Sequence, residues 1–250
     1  MTMYDFRGQV LVVTGGASGI GAGICKAFAD AGGNAICLDV NEQMAMQLQD
    51  SYSGPGSLKS FFLDVRDSKQ VDIMFKQLIG EYHRIDGVVM SAAVQPRMNI
   101  ADMNDEDWHK VMDINLSGVF YCARAIVPHM KSRRRGSIIT FSSGLALQGW
   151  AATSAYAATK AGLIGFTKSL AREMVPYHVR ANVIHPGITD SPLFTGTKTP
   201  EELEFFKKSD GAMGTVDDVV QLLLFLLSDA SSSLTGLFIN RDLIFTKEDN

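Results

Sequence analysis

The chain has 250 residues, of which 46% are hydrophobic and 20% charged, and its formal net charge is −4. This length and composition suit one soluble α/β domain with a sizeable core. The slight negative charge gives no electrostatic case for nucleic acid or for an anionic membrane. With no apolar run near the ~20 residues of a membrane span and no secretory signal pattern, we expect a cytoplasmic protein.

Cysteine and histidine do not point to a metal site. Cys25, Cys37 and Cys122 lie in apolar patterns, at spacings that suit neither metal ligation nor a disulfide scaffold. The five histidines likewise show no metal-ligand spacing. We therefore expect reduced thiols in the core and no metal.

Apolar runs and helical periodicity alternate along the whole chain. The alternation predicts parallel strands joined by right-handed crossovers, that is, a doubly wound sheet in a single domain over residues 1–250. The long irregular stretch from about 187 is expected to form a substrate lid over residues 187–214. The predicted strands lie near residues 9–14, 34–39, 59–64, 86–91, 136–142, 178–185 and 236–241.

A glycine-rich turn follows the first strand. Residues 10–13 are apolar, and residues 15–21 read Gly-Gly-Ala-Ser-Gly-Ile-Gly before a helical pattern. Glycines at 15, 19 and 21 let the backbone approach a ligand, and the N–H groups of a helix start can bind a pyrophosphate. A plain turn is the alternative for such a loop taken alone.

Asp39 ends the second strand, at about the separation from the loop that is expected of a ribose-binding carboxylate. A 2′-phosphate would face that carboxylate without a compensating cation, so NAD is favoured over NADP. The alternative for Asp39 is the N-cap of a helix that begins near Asn41.

Tyr156 and Lys160 are four residues apart, and on a helix such positions share one face. Lowering a phenol pKa from ~10 by roughly three units requires about 4 kcal/mol, which a nearby cation in a dry site can supply. Ser143 adds a hydroxyl where one carbonyl oxygen could meet all three groups. A solvated helix face is the alternative for the Tyr-Lys pair alone.

These motifs occur together. Thr14-Gly15-x-x-x-Gly19-x-Gly21, Asn115, Ser143, Tyr156, Lys160 and Pro186-Gly187 resemble the short-chain dehydrogenase/reductase family in order and spacing, from about residue 6 to residue 242. The resemblance implies a Rossmann fold and a nicotinamide cofactor.

The resemblance also implies site roles. Tyr156 would exchange a proton with the substrate oxygen, Lys160 would lower its pKa and bind the nicotinamide ribose, and Ser143 would hold the substrate oxygen, with adjacent Ser142 one position out of register. Asn115 would stabilise a helix bend and a water in the proton relay; a surface or capping role is its alternative. The residues expected to contact the cofactor are Gly15, Ser18, Gly19, Ile20, Gly21, Asp39, Asp64, Val65, Ala92, Tyr156, Lys160, Pro186, Gly187, Ile188 and Thr189.

Within that set, Asp64 resembles the aspartate that binds the adenine amino group, with a helix-start role as its alternative. Two segments depart from the family pattern. Residues 90–93 read Met-Ser-Ala-Ala where Asn-Asn-Ala-Gly is usual, which puts local rigidity in doubt. Residues 242–244 read Asp-Leu-Ile in place of Asp-Gly-Gly, which puts the tail and one subunit contact in doubt.

The substrate pocket is predicted from the loops that should face the nicotinamide. Its apolar character favours a neutral, fairly hydrophobic secondary alcohol or ketone. A polyol or sugar dehydrogenase, a 3-oxoacyl thioester reductase and a nucleotide-sensing regulator without turnover are the alternatives, and the NAD preference counts mildly against the thioester. Gln95, Leu145, Trp150 and Phe194 are the main pocket candidates, and Met98, Leu147, Phe205, Phe206 and Met213 are further ones.

The helix that carries Tyr156 is predicted to present a second face of Ala157, Ala161, Gly165 and Leu170. Small residues at this spacing let another helix approach closely. In the family this helix and the one beginning near Met103 pair subunits, and we expect a homotetramer.

Overall fold

A computed structural model of the protein describes residues 4–208 and 213–241. Seven parallel strands form one sheet in the order β3-β2-β1-β4-β5-β6-β9, and β7 and β8 form a small parallel pair. This confirms the predicted doubly wound sheet. The strands are β1 Val10–Thr14, β2 Asn34–Asp39, β3 Ser57–Phe62, β4 Gly87–Met90, β5 Gly136–Phe141, β6 Val179–His185, β7 Ile188–Thr189, β8 Met213–Gly214 and β9 Phe238–Asn240.

Helices connect the strands. A π-helical turn, Asp113–Ser117, joins the fourth helix to the fifth, and short 3-10 turns cover Val175–Tyr177 and Asp229–Ser231. The helices are α1 Gly19–Asp30, α2 Glu42–Asp50, α3 Ser68–Tyr82, α4 Asp105–Met112, α5 Gly118–Arg133, α6 Leu145–Gln148, α7 Ser154–Met174, α8 Pro192–Thr195, α9 Pro200–Lys208 and α10 Val216–Leu227.

Short polar side chains begin several of these helices. Asp67 accepts hydrogen bonds from two backbone N–H groups at the start of α3. Thr215 and Asp218 form a reciprocal capping box at the start of α10. Such side chains satisfy N–H groups that have no partner within the helix, so they determine where the helix begins.

The sheet is buried on both faces, as a parallel sheet requires. Alternate residues of β1 point to opposite sides: Val12 lies in the core beneath α3, α5 and α7, and Leu11 lies in the core beneath α1 and α10. The three cysteines are free and buried.

Strand β3 covers Ser57–Phe62, two residues earlier than predicted. Its register is determined by pairing with β2, from Asn34↔Ser57 to Asp39↔Phe62, and the two side chains at the start of that ladder share a hydrogen bond of 2.7 Å. Beyond the strand, the Asp64 N–H donates to the Gln70 side chain instead of a strand. Residues 242–244, the second segment that departs from the family pattern, lie outside the described residues.

Helix α7 presents a narrower face of small residues than predicted. Ala161 and Gly165 are exposed and Ala157 is half-buried, but Leu170 is buried in the core beneath α7. Leu170 follows Gly165 by five residues rather than four, which rotates its side chain away from that face. The prediction for Leu170 was therefore wrong.

Candidate active site

The carboxyl ends of the strands open into a cleft of about 690 Å³, where the strand order reverses between β1 and β4. Ligands of doubly wound sheets bind at this position. The cleft wall contains most of the residues predicted to contact a cofactor, namely Gly15, Ser18, Gly19, Ile20, Gly21, Asp39, Asp64, Val65, Ala92, Tyr156, Lys160 and Pro186.

The glycine loop requires glycine for steric reasons. Gly15 has a φ of +65°, and a Cβ on it would lie 2.6 Å from backbone atoms of Ala92. A Cβ on Gly21 would overlap the Gly15 carbonyl oxygen. Ser18 is the N-cap of α1 but makes no side-chain capping bond, so the first-turn N–H groups remain available to an anion. The loop therefore fits a pyrophosphate.

Asp39 lies at the end of β2 with its carboxylate beside the glycine loop. One oxygen accepts the Ala17 N–H at 3.0 Å and the other accepts the Asn41 N–H at 2.9 Å. Asn41 itself caps α2 by accepting the Met44 N–H at 3.1 Å, so Asp39 is not the cap. Each carboxylate oxygen has a further acceptor site, which suits a ribose diol.

Asp64 is held by its neighbour Arg66. The Arg66 Nε lies 3.0 Å from both carboxylate oxygens and Nη2 lies 2.6 Å from one of them. This guanidinium lowers the pKa of the Asp64 carboxyl. Asp67, not Asp64, caps α3, so the helix-start alternative does not apply. An adenine amino group at Asp64 would share the carboxylate with Arg66.

Ser91 stands in the segment that departs from the family pattern. Its hydroxyl donates to the Thr14 carbonyl at 2.6 Å, while the preceding Met90 side chain is buried in the core. The bond ties the end of β4 to the end of β1, directly under the glycine loop. A short hydroxyl therefore makes the cross-strand contact in place of an amide side chain.

Tyr156 and Lys160 lie on one face of α7 and are both buried. The Lys160 Nζ is 5.5 Å from the Tyr156 ring centroid and donates to the Phe141 carbonyl at 3.0 Å. Ser142 donates to the Lys160 carbonyl at 2.8 Å and so fastens β5 to α7. The hydroxyl of Ser143, the next residue, is near enough to Tyr156 to lower the pKa of its phenol.

Burial controls the titration of this pair. It raises the pKa of Tyr156 to about 12, and the nearby Ser143 hydroxyl acts in the opposite direction. Burial lowers the pKa of Lys160 to about 8. The expected lowering of the phenol pKa by Lys160 is therefore not present in this structure, because the ammonium is directed at the Phe141 carbonyl. At neutral pH the phenol keeps its proton.

Asn115 lies in the π-helical turn between α4 and α5 and is fully buried. Its side chain exchanges two hydrogen bonds of 2.9 Å with the Val94 backbone, and its Nδ2 also donates to the Thr159 hydroxyl at 3.4 Å. Thr159 donates in turn to the Tyr156 carbonyl at 2.7 Å. Asn115 thus joins the loop after β4 to the turn of α7 that carries Tyr156.

The chain turns sharply after β6. Gly187 has a φ of +72°, and a Cβ on it would overlap the Arg241 carbonyl oxygen, so this position requires glycine. Ile188 and Thr189 then form β7, and the Thr189 hydroxyl donates to the Pro186 carbonyl at 3.2 Å. Of these residues, only Pro186 is in the cleft wall.

The structure brings the predicted substrate residues together only in part. Gln95 lines a side cleft of about 330 Å³ that shares Val94 and Leu193 with the main cleft. The Leu145 N–H donates to the Ser143 hydroxyl at 3.3 Å, which places Leu145 beside the candidate catalytic group. Trp150 is 63% exposed. Phe194 packs edge-on against Phe206 at 5.3 Å, outside the main cleft wall.

Three residues that contribute to the site were not predicted from the sequence. Thr159 connects Asn115 to Tyr156, Arg66 holds Asp64, and Arg97 crosses from the loop after β4 to Glu202 of α9. The Asp64–Arg66 pair was detectable, because an acid and a base two residues apart stand just after a predicted strand. Thr159 and Arg97 carry no signal of this kind in the sequence.

Residues 4–208 and 213–241 contain no cluster of three or more His, Cys, Asp or Glu side chains that could hold a metal ion. Within the same described residues, none of the helices has the length and apolar character needed to cross a membrane.

Comparisons with known proteins show to which family the chain is similar. Residues 15–243 match a family model described as enoyl-(acyl carrier protein) reductase. The chain is 35% identical over 240 residues to 3-oxoacyl-(acyl-carrier-protein) reductase FabG of Thermotoga maritima, covering 94% of this chain and 97% of that protein. It also superposes on the crystal structure of gox2181 with a TM-score of 0.89 and 31% identity, covering 95% of each chain.

The crystal structure of 3-oxoacyl-(acyl-carrier protein) reductase from Brucella melitensis gives a TM-score of 0.86 at 29% identity, covering 96% of this chain and 92% of that one. Fold, motif order and relatives agree on an oxidoreductase that uses a nicotinamide cofactor. The chain belongs to the short-chain dehydrogenase/reductase family.

Proposed function

We propose that this protein reduces the 3-oxo group of an acyl thioester to a secondary alcohol. The observation that carries the proposal is the pair of buried side chains Tyr156 and Lys160 in the wall of the nucleotide cleft, with the half-buried Ser143 near Tyr156. Support for the thioester comes from the relatives named 3-oxoacyl-(acyl-carrier-protein) reductase, which match nearly the whole chain. This substrate class replaces the broader expectation of any neutral hydrophobic ketone.

In this reaction Ser143 and Tyr156 would both donate their hydroxyl hydrogens to the substrate oxygen. A bound nicotinamide supplies the hydride that goes to the carbonyl carbon. As the carbon accepts that hydride, the oxygen gains negative charge and takes the proton of the Tyr156 hydroxyl. A protonated phenol is the form needed for this step, and it is the form that burial favours at neutral pH.

Lys160 and Asn115 support the proton transfer from behind. The Lys160 Nζ lies 5.5 Å from the Tyr156 ring centroid, and it would stabilise the negative charge left on Tyr156 once the ammonium turns away from the Phe141 carbonyl. Asn115 is a positioning residue here, because it reaches Tyr156 through Thr159. The phenolate then regains a proton from solvent.

NAD is proposed as the preferred cofactor. The Asp39 carboxylate lies beside the glycine loop, where it can accept hydrogen bonds from ribose hydroxyls. A 2′-phosphate at the same place would meet a negative charge. The backbone donors of the loop and the carboxylate at the end of β2 together fit an adenosine diphosphate.

A homotetramer in a reducing compartment such as the cytoplasm is also proposed. The exposed face of α7 with Ala161 and Gly165 supports helix pairing between subunits. Cys25, Cys37 and Cys122 are buried and free, which suits a reducing environment.

The test is a substrate panel with the purified protein. Turnover of each substrate is monitored by nicotinamide fluorescence. The panel contains a 3-oxoacyl thioester, a hydrophobic ketone without a thioester, a sugar and a 2-enoyl thioester. We expect the 3-oxoacyl thioester to have the highest kcat/KM, and Tyr156→Phe to serve as the inactive control. A faster 2-enoyl thioester would favour the reaction in the family description, and nucleotide binding without turnover would favour a sensor; either refutes the proposal.

A further inference from the structure

Residues 191–208, which contain α8 and α9, lie beside the cleft within the segment 187–214 that is predicted to form a lid, and they are called the lid below. Ser191, Pro192 and Leu193 are part of the cleft wall, and Ser191 and Pro192 lie directly over Gly19 of the glycine loop. Because these residues roof the cofactor cleft and border the side cleft, the position of the lid controls the space left for a substrate.

One side chain connects this lid to the opposite wall. Arg97, in the loop after β4, places its Nη1 at 2.9 and 3.0 Å from the two carboxylate oxygens of Glu202 and at 3.2 Å from the Thr197 carbonyl. The pair is partly buried, with the two side chains 27% and 34% exposed. The contact joins residues more than a hundred positions apart, so no local element requires it.

Glu202 has a second task at the same time. One of its oxygens accepts the Thr199 N–H at 2.9 Å, and the Thr199 hydroxyl accepts the Glu202 N–H at 3.2 Å. This reciprocal pair is a capping box at the start of α9. Arg97 therefore contacts the lid at the residue of the first turn of α9 that completes this capping box.

The contact extends to the cleft wall through aromatic packing. Phe206 of α9 packs edge-on against Phe194 of α8, and Phe194 follows directly after Leu193 of the wall. On the other side, Met98 donates its N–H to the Ala152 carbonyl at 2.9 Å, just before the helix that carries Tyr156. Arg97 and Met98 are neighbours in one loop. Arg97 contacts the lid, and Met98 contacts the segment just before α7.

We propose that Arg97 is a positioning residue that latches the lid through Glu202 and thereby determines how tightly the carbonyl substrate is held. The proposal rests on the proposed function only for its kinetic part. Arg97 touches no candidate catalytic group, so loss of the latch should weaken substrate binding and leave the proton-transfer step intact.

The kinetic test compares Arg97→Met with the wild-type enzyme on the best substrate of the panel. Losing a partly buried, charge-assisted pair should raise KM about tenfold, with kcat changed by less than about threefold. Arg97→Lys keeps one charge-assisted bond and should restore part of the loss. Glu202→Gln removes the charge but keeps an oxygen for the Thr199 N–H, and the bond from Arg97 to the Thr197 carbonyl remains, so it should raise KM in the same direction as Arg97→Met and by less.

A second measurement needs no substrate. Trypsin should cut the lid at Lys198 about tenfold faster in Arg97→Met, because Lys198 lies over the Phe194 ring while the lid is held. Arg135→Met is the matched control: Arg135 makes a comparable two-oxygen contact with Asp229 at 3.0 Å, far from the lid. It should change neither the KM nor the cleavage rate.

The two measurements separate the latch from the proposed function. Faster lid cleavage without turnover on any substrate would keep the latch and reject the function. Wild-type KM and cleavage rate in Arg97→Met, or effects equal to those of Arg135→Met, would overturn the latch while the function stood. A fall in melting temperature alone, with unchanged KM and cleavage, would also overturn it.

Discussion

Lys160→Met should abolish turnover without destabilising the fold. The Lys160 side chain is buried, and its ammonium donates a hydrogen bond to the Phe141 carbonyl. A charge buried in the core lowers the free energy of unfolding, and it is retained here for function. Methionine has a similar length and no charge, so it fills the same space.

The magnitude follows from the titration of the ammonium. Burial lowers the pKa of Lys160 from 10.5 to about 8, and at ~1.4 kcal/mol per unit the charged form costs about 3 kcal/mol in the folded state. The substitution leaves the Phe141 carbonyl without its donor, which costs about 1–3 kcal/mol. The variant should therefore be as stable as the wild type at pH 7, or more stable by up to ~2 kcal/mol.

The pH dependence has a definite sign. Between pH 8 and pH 10.5 the unfolded chain holds a proton on Lys160 that the folded protein has released. Stability of the wild type therefore rises with pH through this window relative to the variant. Below pH 8 both states are protonated and the full penalty is present.

Urea unfolding of both proteins at pH 7 and pH 10.5 measures these differences, since other titrations cancel in the comparison. The stability of the wild type relative to the variant should increase by about 3 kcal/mol across that interval. A variant that loses more than ~2 kcal/mol at pH 7, or a difference independent of pH, would show that burial does not govern this lysine.

Three further predictions address chemistry, cofactor and assembly. Tyr156→Phe should remove nearly all turnover but leave NADH affinity within about threefold, by fluorescence titration; wild-type rates would refute the proton-transfer role. Wild-type kcat/KM should favour NAD over NADP by at least about tenfold, and Asp39→Ala should narrow the gap; equal values for the unmodified enzyme would count against the ribose contact. Light scattering should give about four times the 27.2 kDa of one chain, and a monomer mass would refute assembly.

Much of the fold and cofactor cleft was predictable because the signals are local. Apolar runs give the strands, and the rule that ligands lie at the carboxyl ends of parallel strands places Asp39 and Asp64 in one cleft. The four-residue spacing of Tyr156 and Lys160 determines a shared helix face whatever surrounds it. The predicted boundaries of β3 were two residues too late, because the position of this strand is determined by its pairing with β2, which is a tertiary contact.

The direction of the Tyr156 pKa was not predictable from spacing. A pair four residues apart suggests a lysine that acidifies a phenol, but the sequence does not say how deeply either is buried or where the ammonium points. In the structure the ammonium donates to Phe141, and burial dominates both pKa values. Likewise, Arg97 and Glu202 come together only when two distant loops fold against each other.

The departure at residues 90–93 shows how a family pattern can change without losing its contact. The Ala92 backbone lies against Gly15, so close that a Cβ on Gly15 would be only 2.6 Å away. In that space the Ser91 hydroxyl reaches the Thr14 carbonyl at 2.6 Å, and it also lies 2.8 Å from where a Cβ on Gly21 would stand. The short side chain and the glycines therefore depend on one another: the glycine loop can lie against β4 because Ser91 makes the tie in so little room.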